Sequence, residues 1–217
     1  LLAGFLLFYV AEISNPKTLG SMPVGDGIMN AFFHSVTLRT AGYDSIGSGN
    51  LHDSSKILSV IFMFIGASPA STGGGIKTTT MFLLIMLVYS IVMNREEVVA
   101  YKHRIPQQLI LKAIAIVVIS LAVVLLSSIL LSIFEQDNPQ TENYDYVDML
   151  FECTSAFGTV GVSTGMTGSL TLPSKILLMI TMFIGRIGPL TLTIALSRHS
   201  SPQKTSIKYP EGRIIIG

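Results

Sequence analysis

Residues 32–66 lie over residues 151–185 without a gap. Phe32, Thr40, Gly42, Gly49, Leu51, Ser55-Lys56-Ile57-Leu58, Ile61 and Met63-Phe64-Ile65-Gly66 recur as Phe151, Thr159, Gly161, Gly168, Leu170, Ser174-Lys175-Ile176-Leu177, Ile180 and Met182-Phe183-Ile184-Gly185. Recurrence at a fixed spacing, here roughly 120 residues, means that one structural unit is used more than once. Each copy runs from a short amphipathic stretch through a Thr-x-Gly turn and a small polar loop into a long apolar helix. In a membrane chain that order describes a re-entrant loop followed by an inner helix. Function is then to be sought where the copies meet.

Composition supports the membrane reading. Charged residues make up 12% of the 217 and hydrophobic residues 49%, against roughly 25% charged in an ordinary soluble domain. The formal net charge of +1 gives no bulk attraction for nucleic acid. Cys153, the sole cysteine, excludes a disulfide framework or a cysteine metal site and reads as a small buried residue. No signal-peptide pattern is visible. The opening apolar run, residues 1–10, is shorter than the about 20 residues of a spanning helix. Residue 1 is therefore expected to fall inside a helix, with the chain being the C-terminal part of a longer multi-pass protein of the cell membrane.

Four apolar blocks follow from the pattern: residues 1–13, 57–93, 109–134 and 176–196. The second is too long for one span and is broken by glycines. Asn15-Pro16 and Asn138-Pro139 read as turns after spans. Arg95, Lys102, Arg104 and Lys112, and then Arg198, Lys204, Lys208 and Arg213, predict a cytoplasmic linker and tail. Glu135, Asp137, Glu142, Asp145 and Asp148 predict an external loop, either a cation-concentrating vestibule or a plain solvated loop. Residues 25–43 and 144–162 are too short and too polar to cross. They are expected to be short helices started near Asp26 and Asp145, with Ile28, Phe32, Ser35 and Val36 on one face. Their partially negative C-terminal ends would favour a cation.

Each short helix ends in Thr-x-Gly: Thr40-Ala41-Gly42-Tyr43 and Thr159-Val160-Gly161-Val162. A dehydrated potassium ion needs a ring of oxygens, which extended backbone carbonyls can supply. Glycine permits the backbone angles and the close approach. Non-helical backbone at this depth is tolerated only where it lines a wet path or is buried in protein. A pair of tight turns in a transporter without a filter is the competing reading.

At this point the chain resembles the Ktr/Trk/HKT potassium transporters, most of all the ion-translocating membrane subunit of bacterial Ktr systems. The likeness rests on residues 38–43, on Gly66-Ala67-Ser68-Pro69-Ala70-Ser71-Thr72-Gly73-Gly74-Gly75-Ile76-Lys77-Thr78 and on Phe183-Ile184-Gly185-Arg186-Ile187-Gly188-Pro189-Leu190-Thr191. It implies an all-α membrane protein whose tandem helix–pore loop–helix repeats form a pseudo-fourfold pore like that of a potassium channel. Residues 1–94 are then the third repeat, with its first helix truncated and an intramembrane glycine loop over 66–80. Residues 95–108 are a cytoplasmic linker, 109–197 the fourth repeat and 198–217 a cytoplasmic tail. The resemblance further implies potassium, with sodium as a possible second ion, as the transported or regulatory ion and no covalently bound cofactor. Its implied partners are the lipid bilayer, a homodimer mate and a cytoplasmic nucleotide-binding regulatory subunit. One filter glycine per repeat, Gly42 and Gly161, implies weaker selectivity than two would.

The glycine loop does not read as a phosphate-binding loop, because Ile76 separates Gly75 from Lys77. The resemblance implies a gate built on Gly66, Ser71, Thr72, Gly73, Gly74, Gly75 and Lys77; a packing kink is the bland alternative. Arg186, near the middle of the last apolar block, needs carbonyl, hydroxyl or carboxylate partners if buried. It is expected to tether the loop and to act as a barrier to cations. His34, Phe62 and Phe64 read as packing residues, and Glu152 as a partner either for filter backbone or for structure. The apolar end of the tail suggests a docking segment, with disorder as the alternative. No nucleophile–base constellation appears, so no enzymatic activity is expected. The rival class is a secondary symporter with a midplane site between inverted repeats; a purely structural core would leave the turns and the glycine loop unexplained.

Overall fold

The computed structural model describes residues 1–69, 71, 73–95, 97–100 and 103–188. Its helices are α1 (Leu2–Glu12), α2 (Val24–Thr37), α3 (Asp53–Phe64), α4 (Thr78–Val92), α5 (Gln107–Glu135), α6 (Tyr146–Gly158) and α7 (Leu172–Ile187). One order occurs twice: apolar helix, short helix, Thr-x-Gly turn, a single 3-10 turn (Ser48–Asn50, then Met166–Ser169), apolar helix. A two-stranded hairpin, β1 (Val99–Ala100) and β2 (His103–Arg104), lies in the linker. The tail and Thr72 and Lys102 lie outside the described residues, so the readings placed on them are not addressed here.

Local chemistry sets the helix starts. Asp145 and Asp148 form a reciprocal capping box on α6, satisfying two N–H groups that a helix start leaves open. Pro173 occupies the first turn of α7, where its missing N–H costs nothing. Asp26 sits in the first turn of α2, as expected. The packed face of α2 differs from the expected one. Ile28 and Phe32 are 43% and 45% exposed, and the buried residues are Gly27, Ala31, His34, Ser35 and Thr37. Gly27 and Ala31 are small, and small residues let helix backbones approach closely; α1 takes that position. His34 is buried, stacked on Phe8 at 4.1 Å and bonded to Ser59 Oγ at 3.1 Å.

Among the described residues α5 is the one helix long and apolar enough to cross a bilayer unaided, while α1 and α4 are shorter apolar helices. The long second block is split as expected, with residues 65–77 between α3 and α4. Exposed Leu111, Val118, Leu126 and Ile133 on α5, and Ile85, Val88 and Val92 on α4, make an apolar surface suited to lipid.

Each unit has its own core. Phe8, Leu19, Ala31, Ile46 and Leu51 fill the first; Leu131, Met149, Cys153, Ala156, Met166, Leu170 and Leu178 fill the second. A third cluster of Leu38, Met63, Phe151, Val160 and Val162 joins the units where α3 packs on α6. Beside it Lys56 Nζ meets Asp148 Oδ1 at 2.8 Å, both side chains being buried.

A polar latch is also duplicated. Buried Glu12, at the end of α1, accepts from Asn15 Nδ2 at 2.7 Å, from Thr18 Oγ1, and from the His52 N–H at 2.9 Å. Asn15 also donates to Asn50 O at 3.0 Å. Buried Glu135, at the end of α5, accepts from Asn138 Nδ2 and from the Thr171 N–H at 2.9 Å, and Asn138 donates to Ser169 O at 3.0 Å. His52 and Thr171 are the N-cap residues of α3 and α7, so each carboxylate ties the end of the first helix of its unit to the positive end of the third. Replacing Glu135 with Leu strands the Thr171 N–H and the Asn138 amide. It should cost about 1–3 kcal/mol, read as a lower unfolding midpoint of the detergent-solubilised full-length protein. An unchanged midpoint would show that the latch adds nothing.

Candidate ion path

The two Thr-x-Gly turns share an uncommon backbone. φ is 73° at Thr40 and 77° at Gly42; it is 52° at Thr159 and 93° at Gly161, whereas Ala41 and Val160 keep negative φ. A left-handed threonine is strained because its Cβ is branched, and such strain persists only where the surroundings over-determine it. Here it occurs at the same place in both units.

The turns also touch. A Cβ built on Gly42 would lie 2.6 Å from Val160 O, and one on Gly161 would lie 3.4 Å from Gly42 Cα. Only glycine fits at 42. Behind each turn, a hydroxyl near the end of the short helix holds the residue after the glycine. Thr37 Oγ1 accepts from the Tyr43 N–H at 2.8 Å and donates to Tyr43 O at 2.6 Å; Ser155 Oγ donates to Val162 O at 2.6 Å. Carboxylates brace the segments that follow. Asp44 accepts from the N–H groups of Ile46, Gly47 and Ser48. Glu152 accepts from the Thr164 N–H at 2.9 Å and from the hydroxyls of Ser163, Thr164 and Thr167. Glu152 thus gathers residues 163–167, beyond the turn, chiefly through their hydroxyls.

Beyond α3, Ile65 and Ile76 form an isolated bridge. The loop rests on both threonines. The Gly74 N–H donates to Thr159 Oγ1 at 2.8 Å, and a Cβ on Gly73 would lie 3.0 Å from Thr40 Oγ1. Gly66 lies against the Gly74 carbonyl with no room for a side chain. Two cations hold the loop. Lys77 Nζ donates to Gly73 O at 2.6 Å and to Ser71 O at 3.1 Å. Arg39 Nη1 donates to Ile65 O and to Gly66 O, both at 3.0 Å, where the end of α3 leaves carbonyls open. A cavity of about 510 Å³ borders the same place, lined by Arg39, Thr40, Ser68, Ser71, Gly73 and Thr78 among others.

Of the residues expected in the filter, Gly42 meets Val160 and Gly161, and Thr40 and Thr159 both meet the glycine loop that Lys77 holds. Arg186 lies nearer a helix end than its place in the apolar block suggests. α7 ends at Ile187, with Gly188 at φ 86°, so Arg186 sits exposed in the last turn, where a cation suits the helix C-terminus. Arg39 was legible only as part of a motif, with no role attached. The latch had a clear signal that composition hides: Glu12-x-x-Asn15-Pro16-x-Thr18 recurs as Glu135-x-x-Asn138-Pro139-x-Thr141.

Paired helix–short helix–helix units with touching left-handed Thr-x-Gly turns define a helical fold whose exposed apolar faces suit a membrane. Known proteins share it. The family described as TrkH, cation transport protein, matches residues 2–209. The chain is 36% identical to Ktr system potassium uptake protein B of Bacillus subtilis (strain 168) over 212 residues, 98% of this chain and 45% of that protein. It is 37% identical to the protein of the same name from Vibrio alginolyticus over 217 residues, 100% of this chain and 46% of that one. It is 35% identical to potassium/sodium uptake protein NtpJ of Enterococcus hirae over 217 residues, covering 47% of it. The crystal structure of the potassium transporter TrkH from Vibrio parahaemolyticus shares the fold, with a TM-score of 0.72 at 19% identity over 90% of this chain and 42% of that one. The chain belongs to the TrkH cation transport family, within the Ktr/Trk potassium transporter superfamily, and spans about half the length of these relatives.

If the turns line an ion path, Gly42→Ser should be more severe than Gly161→Ser, because only the first drives a side chain into a facing carbonyl. In full-length protein in liposomes, potassium-over-sodium discrimination should fall by roughly tenfold or more for Gly42→Ser, about 1.4 kcal/mol. Unchanged uptake of both ions by a folded variant would remove the turns from the path.

Proposed function

We propose that this chain is part of a potassium-uptake transporter. Its Thr-x-Gly turns (residues 40–43 and 159–162) are segments of a backbone-carbonyl selectivity filter, and the loop of residues 66–80 is the gate. Conduction is channel-like and passive: a partly dehydrated cation passes carbonyls that replace part of its hydration shell. The observation that carries this reading is the pair of strained turns, alike in φ, meeting at Gly42 and Val160 with the glycine loop bonded to Thr159. The relatives are named for potassium uptake, and one for potassium and sodium, so sodium enters as a second ion. A pore enclosed on all sides needs more than two such turns, so four repeats around one axis belong to the same proposal, as do multi-pass insertion in the cell membrane, a homodimer and a cytoplasmic nucleotide-binding regulator.

The symporter reading is weaker. Gly42 lies against residues 160 and 161, and Gly49 against Thr164, so the two segments advance side by side in one direction. Inverted repeats around a midplane site would bring them together in opposite directions.

In the proposed closed state the loop is held by Arg39 and Lys77, with Arg186 as a further barrier from the last helix. Loss of one such anchor shifts the closed state by about 1–3 kcal/mol, a five- to hundred-fold change in a two-state equilibrium. Deleting residues 73–75, or changing Arg39 to Gln, should therefore raise maximal potassium flux and weaken its dependence on the cytoplasmic partner. Variants that conduct no faster and still need the partner fully would reduce the loop to a kink.

A further inference from the structure

The linker between α4 and α5 is built rather than loose. Ser90, buried in the last turn of α4, donates from Oγ to Glu97 O at 2.9 Å. The Ile105 N–H donates to Val98 O at 2.9 Å, and Val99 pairs with Arg104 across the hairpin. A groove of about 330 Å³ is bordered by α4, this linker and the start of α5. Its lining is of two kinds. Leu87 of α4 and Ile110 and Ile114 of α5 are apolar, while Glu97, Arg104 and Gln107 are polar. Gln107 is the first residue of α5, and Ile114 lies seven residues, about 10 Å, further along the helix axis. The polar groups thus stand at the linker end, and the apolar wall runs away from it.

The depth of that end is marked by an aromatic ring. Exposed Tyr89, in the last turn of α4, carries the Arg95 guanidinium over its ring at 5.3 Å. An exposed tyrosine beside a cation suits the headgroup level of a bilayer, and Leu87 lies two residues deeper on the same helix. Cations outnumber acids around the groove: residues 95–112 hold Arg95, Lys102, Arg104 and Lys112 against Glu96 and Glu97. Arg104 meets Glu97 at 3.0 Å, with the side chains 72% and 45% exposed. An exposed pair of this kind is worth little, and a guanidinium has five N–H donors, so Arg104 can serve a second anion. Lys112 is exposed in the second turn of α5, and its stem is long enough to bring the ammonium back to the headgroup level.

We propose that this groove seats an anionic phospholipid of the cytoplasmic leaflet, with its phosphate at Arg104 and Gln107 and one acyl chain along Leu87, Ile110 and Ile114. The proposal rests on the membrane insertion and the cytoplasmic linker of the reading above, and not on its ion path. A soluble anion has no use for the apolar wall, and a neutral lipid has none for the excess of cations. Basic residues beside a membrane surface draw anionic lipid by about fivefold in affinity per charge. α4 follows the glycine loop and closes the first unit, and α5 opens the second. A lipid held by both ties the units together at the cytoplasmic end.

The test is lipid binding to full-length protein in detergent, counted by native mass spectrometry, with phosphatidylglycerol and phosphatidylcholine of the same acyl chains as probes. Phosphatidylglycerol should bind more tightly. Arg104→Gln and Lys112→Gln should each weaken it about fivefold, and Lys17→Gln, on the far side of the membrane, should not. Ile114→Trp fills the groove without changing charge and should displace the lipid. If Arg104→Gln does not fold, Gln107→Glu is read in its place: a carboxylate suits the first turn of a helix and repels the phosphate. Equal binding of the two lipids, or binding that none of the groove variants weakens, overturns the proposal. So does inorganic phosphate that displaces the lipid at equal concentration, or lipid binding that appears only once residues 198–217 are removed, which makes the tail the occupant. Labelling of Arg104→Cys from outside intact cells would sink the orientation on which the proposal stands. A protein that binds lipid as expected and carries no potassium would sink the conduction reading alone.

Discussion

Backbone that is neither helix nor closed sheet must find hydrogen-bond partners inside the protein when water is excluded, and the rest of the architecture answers to that demand at the two Thr-x-Gly turns. Each short helix brings a hydroxyl, Thr37 or Ser155, to the residue after the glycine. Each following loop is gathered by a carboxylate, Asp44 or Glu152. The two units reach the same end with different residues, since Asp44 acts from within its loop and Glu152 from the short helix. What the units share is the strained threonine and the glycine two residues on. The geometry of the turn is the fixed point, and the means of holding it vary.

The glycine loop is part of the same system. Its Gly74 N–H ends on Thr159 and its Gly73 lies beside Thr40, so the loop and the turns have side chains in common. Arg39 strengthens that coupling: it stands next to Thr40 and binds the carbonyls at which α3 ends. A displacement of the loop therefore disturbs the threonine ends of both turns. The duplicated Glu–Asn latches do a different task. They hold the first and third helices of each unit together at the end away from the loop.

Much of this was legible from the residues. The repeat, the short helices, the Thr-x-Gly turns and the split of the second apolar block all follow from pattern and turn chemistry. The face that α2 packs was not, because Ile28 and Phe32 suggest burial by their polarity, whereas Gly27 and Ala31 are chosen for closeness of approach to α1. Arg39 carried no such signal, yet it binds the carbonyls of Ile65 and Gly66, as Lys77 binds those of Ser71 and Gly73. A pattern reports which residues avoid water; it does not report which of several cations reaches a given carbonyl.

The sequence by itself determined the unit and its turn: two copies of one segment, each with a glycine two residues after a threonine, in a chain with few charges and long apolar runs. These are local or periodic properties, fixed by backbone sterics and hydropathy. Tertiary structure alone decided the joint. That Lys56 meets Asp148 and that Gly42 lies against Val160 depend on how one unit is rotated onto the next. That rotation is set by side-chain packing between residues roughly 90 to 120 positions apart, for which periodicity carries no signal.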